Sequence, residues 1–364
     1  MEDLVDLAAE LIAVRSTADR PADLGRALDL VLGVAGSGFA VERFTSNGKP
    51  SALVRTEGSS GPFRVVLNAH LDVVPGADEQ FRPRREGERL YGRGAQDMKL
   101  AAVVMAAVFR EVAREVPYPI GLQLVTDEEV GGFDGTGHQV EAGVRAGFVV
   151  IGEQSRLEVV TESKGLAHVR LRATGRAAHA AYPWLGDNAV LAVVEGVRRL
   201  LERYPSPVAE AWRTTANVAR IETGNQAVNQ VPADAEAWVD IRFPPEDADF
   251  NLRTREQVAE HLRAVTGIEA EVRALGAPHR ADPGSEDVRL LRQVVRDAGF
   301  PGTLLRKHGA ADGRFYYARG IDAVIFGPGG DGQHGPSEYA DLTTVEPYRQ
   351  ALTAFLRALS PRWP

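Results

Sequence analysis

The sequence predicts an α/β protein: a mostly parallel sheet held between helices, with a smaller α+β domain inserted into it. Three observations lead there. Short apolar strands alternate with helical patterns through residues 1–163 and again through 277–364, as in parallel sheets covered on both faces. Residues 164–276 instead read as β-α-β-β-α-β, the order of a two-layer ferredoxin-like unit. The 364 residues also exceed what one core ordinarily organises.

In chain order, apolar residues recur at helical spacing over 2–15 and 22–36. FRVVLNAHL (63–71) is a strand, DMKLAAVVMAAVFREVAREV (97–116) a long helix, and GLQLVT (121–126) and AGFVVIG (146–152) are strands again. Inside the insertion, GLAHVRLRATG (165–175) alternates with period two, and GDNAVLAVVEGVRRLLERY (186–204) is an amphipathic helix. Strand-like TTANVARIET (214–223) and AEAWVDIRF (235–243), a helix over 251–266 and IEAEVRAL (268–275) complete it. A helix at 286–298, the strand IDAVIFG (321–327) and a helix at 344–359 return to the first pattern.

The bulk numbers remove several classes of function. A net charge of −8 and a pI near 5.6 argue against nucleic acid or an anionic membrane as partner. The absence of cysteine rules out disulfides, thiolate metal sites and cysteine nucleophiles. Acids at positions 2 and 3 stand where a signal peptide would be basic. The long apolar run AAVVMAAVF from Ala101, preceded by Leu100, falls short of the ~20 residues of a membrane span. A soluble, cytoplasmic protein is expected.

Chemistry gathers at strand ends. LNAHLDVVPG places His70 and Asp72 two apart on one strand, where both side chains share a face and a carboxylate can hold an imidazole. In YGRGAQDMKL, Asp97 stands at the start of the predicted helix, and two readings are open: a helix cap, or a ligand carried on a glycine-rich approach. YPIGLQLV runs straight into Asp127, Glu128 and Glu129. Three carboxylates at the tip of an apolar strand repel one another and lose hydration, which calls for a cation or an open loop. VVIGEQS puts Glu153 at another strand tip, and GPGGDGQHGPSEY holds His334 with Glu338 nearby. Two histidines and three carboxylates without sulfur suit zinc, with cobalt or manganese feasible, and suffice for two ions sharing a bridging carboxylate.

Together these residues resemble the M20 family of metallopeptidases and amidohydrolases, which includes acetylornithine deacetylase, succinyl-diaminopimelate desuccinylase, aminoacylases and glutamate carboxypeptidases. The likeness runs in order through HLD, GRGAQDMK, TDEEVGG, GEQS, GRAAHAAYP and the late GPG…H loop. It implies a zinc-exopeptidase-like domain with two Zn2+ per subunit, bridged by Asp97, one completed by His70 and Glu153 and the other by Glu129 and His334. Glu128 matches the general base, Asp72 the residue orienting the first histidine, and a cis peptide is implied at Asp97–Met98. The insertion would be a lid and homodimerisation domain. His179 would meet the oxyanion, in its own or the partner subunit's site, and Asn229 and Arg242 would hold a substrate carboxylate. Without the resemblance, His179 reads as a polar junction residue and Arg242 as half of a surface ion pair.

The implied reaction is hydrolysis of N-acyl amino acids, with a dipeptidase or carboxypeptidase as the alternative and a silent binding relative behind both. Leu100 replaces the usual glycine after the DMK lysine, and GEQS replaces the frequent GEPT. KHGAADGRF (307–315) resembles the desuccinylases' GGTSDGRF without its Thr-Ser hydroxyls. Asp127 has no assigned role, and the remaining histidines (138, 168, 261, 279, 308) are read as surface or structural.

Overall fold

A computed structural model describes residues 2–361. The chain divides into two compact units: Met1–Thr161, Arg280–Arg306 and Ala311–Pro364 form the first, and Glu162–His279 with Lys307–Ala310 the second.

The main sheet of the first unit runs Phe39–Ser46, Lys49–Thr56, Ile120–Val125, Phe63–His70, Ala146–Ile151, Asp322–Ile325 and then Val159–Ser163. The four central strands, from Ile120–Val125 to Asp322–Ile325, are mutually parallel, and their outer neighbours run antiparallel. This mixed α/β architecture with a parallel centre is the predicted class. Every residue of Phe63–His70 and Ile120–Val125 is buried, because helices cover both faces. Along Phe63–His70, Val65, Leu67 and Ala69 enter the core under helices Pro21–Ala35, Leu100–Val112 and Val345–Ala358, while Phe63 and Val66 enter a second core containing Val149, Ala311 and Tyr316. The excursion into the second unit leaves and returns at neighbouring positions, Ala281 N donating to Thr161 O at 2.8 Å.

Three features depart from the sequence expectation. The long helix begins at Leu100 and ends at Val112, not at 97 and 116. Ahead of it, Asp97 (φ −124°, ψ 93°) and Met98 (φ −133°, ψ 33°) are non-helical, and their peptide bond is cis. Asp97 therefore caps nothing. Second, residues 39–56 form a hairpin that periodicity did not reveal, because its outer strand is mostly exposed. It turns at Asn47 (φ 44°) and Gly48 (φ 75°), and Asn-Gly supplies the left-handed pair such a turn demands. Third, a small sheet joins Gly329–Asp331, Tyr339–Asp341, Arg89–Tyr91 and Arg84–Glu86. Each of these strands has three residues, too few for a periodic signal.

The second unit is a four-stranded antiparallel sheet ordered Thr215–Glu222, Asp234–Phe243, Gly165–Thr174, Glu269–Gly276. Helices Ala189–Arg203 and Arg255–Thr266 share its core: Ala167, Val169, Leu171, Ala237, Val239 and Ile241 meet Val193, Val197, Val258 and Leu262. The second helix starts at 255, not 251, because Thr254 accepts from Gln257 N and Gln257 returns the bond in a capping box. No helix among the described residues is long and apolar enough to cross a membrane.

One buried ion pair pins the central sheet to the chain's later part. Arg64 forks onto the Asp287 carboxylate at 2.6 and 2.8 Å and donates through Nε to the Ser360 carbonyl at 2.7 Å. Asp287→Ala would strand a buried guanidinium and should lower the unfolding free energy by about 3 kcal/mol. Denaturant unfolding reads this, and a loss under about 1 kcal/mol would show that the pair behaves as a surface contact.

Candidate metal centre

The parallel register sets the site. His70 lies level with Val125, and Asn68 with Ile151. The residues just beyond three neighbouring strands (Asp72, Glu128 with Glu129, and Glu153) therefore emerge together at one sheet edge, where open α/β sheets place ligands.

Their side chains converge. His70 Nε2 is 2.9 Å from Asp97 Oδ1. His334 Nε2 is 3.4 Å from Asp97 Oδ2 and 3.1 Å from Glu129 Oε2. Two groups form, His70 with Glu128 and Glu153, and Asp97 with Glu129 and His334, each offering ligand atoms within 4.8 Å of one another. Asp97 turns one oxygen towards each histidine, the placement that a carboxylate shared by two cations requires. Gln333 Nε2 also bonds its Oδ2.

Asp72 supports the site in a way its spacing did not suggest. His70 Nδ1 lies 3.1 Å from the Asp72 main-chain carbonyl and 3.6 Å from its carboxylate. That carboxylate instead accepts the backbone N–H groups of Glu128 at 3.2 Å and Glu129 at 3.0 Å. One residue thus orients the imidazole and fixes the start of the acidic loop.

The electrostatics demand positive charge. Burial pushes the Glu128 carboxyl well above its usual range, and the Glu153 charge adds to this. Burial opposes charge on His70, yet bonds to Asp72 and Asp97 hold its pKa well above that of a free imidazole. Hydrogen bonds to Asp97 and Glu129 raise His334 to about 10. Imidazole nitrogens and carboxylate oxygens without sulfur fit borderline divalent ions. The residues present fit a pair of such ions.

Two supports escaped sequence reasoning. Arg93 donates to Glu338 Oε2 at 2.6 Å and to the His334 carbonyl at 3.0 Å. Glu338 Oε1 accepts from Gln96 N at 3.1 Å and from Asp97 N at 3.3 Å. Both side chains are buried, so one ion pair ties the loop bearing Asp97 to the loop bearing His334. The available signal was the GRG turn with an acid four residues past His334. Asp127 is also buried, and its Oδ2 accepts Asp134 N at 2.7 Å. Burial lifts its carboxyl to about 6. Its task is to close the turn behind Glu128 and Glu129.

The remaining expected residues lie in the second unit. His179 is exposed on the short ladder Ala178–His179 against Gln230–Val231, its Nδ1 accepting Ala181 N at 3.0 Å. His179 lies opposite Gln230, and Ala180 N donates to Asn229 O at 2.9 Å, so Asn229 is one step further along the same ladder. Arg242 is at the far end of Asp234–Phe243, its Nε on the Asp240 carboxylate at 3.0 Å. His138, His168, His261, His279 and His308 lie outside both donor groups. His261 bonds Tyr204, His308 bonds Glu210 and His279 is buried.

Known proteins resemble the chain over most of its length. The model of peptidase family M20/M25/M40 matches residues 66–358. The chain is 29% identical over 381 residues to a succinyl-diaminopimelate desuccinylase of Thioalkalivibrio sulfidiphilus, covering 99% of each chain. It is 31% identical over 340 residues to the like-named protein of Rhizorhabdus wittichii, covering 86% of this chain and 87% of that one. Its fold matches the M20 family metallo-carboxypeptidase Sso-CP2 of Sulfolobus solfataricus with a TM-score of 0.76 at 17% identity, over 98% of this chain and 99% of that one.

The Arg93–Glu338 pair gives a direct test of how the two loops are held. Glu338→Ala should weaken metal binding by about 10- to 100-fold, as loss of a ligand's supporting bond does. Calorimetric titration of metal-stripped protein with Zn2+ or Co2+ measures it. Wild-type affinity would show that Asp97 and His334 are placed without the pair.

Proposed function

The chain belongs to peptidase family M20/M25/M40 and is accordingly a metal-dependent hydrolase; from that premise we propose that it cleaves the amide bond of N-acyl amino acids. The observation that carries the reading is Asp97, whose two carboxylate oxygens face two different histidines beside a pair of glutamates.

In this reading His70, Glu153 and Asp97 would hold one Zn2+ ion, or Co2+ or Mn2+ in its place, and Glu129, His334 and Asp97 would hold a second. When bound, they would lower the pKa of a water and polarise the scissile carbonyl. Glu128 is the general base. Its raised pKa suits a group that takes a proton, holds it and returns it to the departing amine. Asp72 keeps His70 and the Glu128 backbone in place through the bonds described above. His179 donates to the oxygen on which negative charge develops.

Asn229 and Arg242 serve the substrate carboxylate, Arg242 through a planar fork suited to it. Asn229 immediately precedes the short strand Gln230–Val231, and Arg242 stands near the end of Asp234–Phe243. A homodimer through the second unit is in keeping with its surface. Tyr182, Trp184, Leu185, Leu191 and Val194 are exposed apolar side chains there, and Thr215–Glu222 is an edge strand.

The desuccinylase-like relatives favour an N-acylated diamino acid. A carboxypeptidase or dipeptidase remains the second reading, because Ala310 and Ala311 stand where the desuccinylase-type segment carries hydroxyls. A hydrolysis panel of N-succinyl-diaminopimelate, N-acetyl-ornithine, other N-acyl amino acids and dipeptides, with Zn2+ or Co2+ supplied, separates the two. Glu128→Gln should keep the metal content and lower kcat by at least ~100-fold with KM little changed. Undiminished turnover would remove Glu128 from the role of base.

A further inference from the structure

The loop carrying Glu128 and Glu129 is glycine-rich, Asp127-Glu-Glu-Val-Gly-Gly-Phe-Asp-Gly-Thr-Gly137, and such a loop is mobile unless something holds it. The holder is the segment Asp312–Tyr316 of the same unit. Asp312 is completely buried and its Oδ2 accepts the hydroxyl of Thr136. That hydroxyl in turn accepts from Asn68 Nδ2 at 2.9 Å. Asn68 also donates to Gln123 Oε1 at 2.8 Å, which takes a further bond from Tyr316 at 2.7 Å. This buried chain of polar groups runs from Asp312 through the acidic loop to the strand ending in His70.

The backbone fits around the same segment. A Cβ on Gly132 (φ 63°) would lie 2.2 Å from Asp312 Oδ1, and one on Gly137 would lie 2.9 Å from the Phe315 ring. Arg314 donates to the Gly131 carbonyl, and Phe315 meets Phe133 edge-on at 5.5 Å. Burial raises the Asp312 carboxyl to about 7, which eases its place near Asp127.

We propose that Asp312, acting through Thr136 and the close approach of Gly132, is a positioning residue that fixes Glu128 and Glu129 at their working places. The inference rests on the assignment of those two glutamates above. It gives the AADGRF segment, whose hydroxyl-free start sets it apart from the desuccinylase pattern, the task of templating the acidic loop. A misplacement of about 1 Å at a reacting group costs on the order of 100-fold in rate, so the effect should be large although Asp312 touches no substrate.

Four variants test it: Asp312→Ala, Asp312→Asn, Thr136→Val and Thr136→Ser. Each is measured for melting temperature, for Zn2+ and Co2+ affinity of the metal-stripped protein, and for kcat and KM well below its melting temperature. Asp312→Ala and Thr136→Val should lower kcat about 10- to 100-fold and metal affinity about 10-fold, as supporting bonds do, with KM changed less than threefold. Asn at 312 and Ser at 136 keep an acceptor and a hydroxyl, and should restore both to within about threefold. If Asp312→Ala does not fold, Thr136→Val, which preserves volume, decides. Unchanged kcat and affinity in a folded variant, or a lower melting temperature alone, overturns the proposal. A wild-type protein that binds metal but hydrolyses no member of the panel would overturn the functional assignment instead. The affinity measurements would then still report on the placement of Glu129.

Discussion

Everything at the sheet edge answers to one constraint: several carboxylates brought out of water within a few ångströms of one another. Asp72, Asp97, Glu128, Glu129 and Glu153 gather around two imidazoles. Like charges in such surroundings raise one another's energy steeply. The arrangement holds only when positive charge sits among them, and the upward shifts of His70, His334 and Glu128 are three expressions of that demand. Parallel strands ending level make the crowding possible, and hydrogen bonds from the surrounding backbone make it ordered.

Those supports are polar and buried, which is uncommon in a protein core and informative about what they hold. Arg93 with Glu338 spans two loops that are distant in sequence, and the Asp312–Thr136–Asn68–Gln123 chain runs beneath a third. A hydrophobic core would stabilise the sheet equally well without fixing side-chain directions at its edge. Hydrogen-bonded networks fix direction, because a member loses a bond if it turns.

Much of this was readable in the sequence. Apolar strands with polar tips gave the parallel sheet and placed His70, Glu128, Glu129 and Glu153 on one edge, since period and hydropathy suffice when a strand is buried on both faces. The start of the helix after Asp97 was not readable: its composition is helical while Asp97 and Met98 are not, and local propensity yielded to the placing of a carboxylate. The hairpin over residues 39–56 lay hidden in an exposed strand, although Asn47-Gly48 marked its turn. Asp72 was foreseen as the partner of His70, but its grip on the Glu128 and Glu129 amides depends on how two strand ends face each other. Arg93 and Asp312 were silent for the same reason: their partners lie 245 and 176 residues away. Arg242 and Asn229 are thirteen residues apart in sequence and belong to different sheets, Asn229 beside the short strand Gln230–Val231 and Arg242 near the end of Asp234–Phe243.

The chain's departure into the second unit and its return at neighbouring positions, where Ala281 bonds Thr161, has an evolutionary consequence. A detour that begins and ends at one place adds little closure entropy to its host whatever its length. The host sheet therefore exerts little selection on what fills the detour. Ancestors could have enlarged, trimmed or exchanged it while the acidic edge stayed as it was. Diversification in such a lineage would change the residues the insert contributes and leave the acidic edge alone.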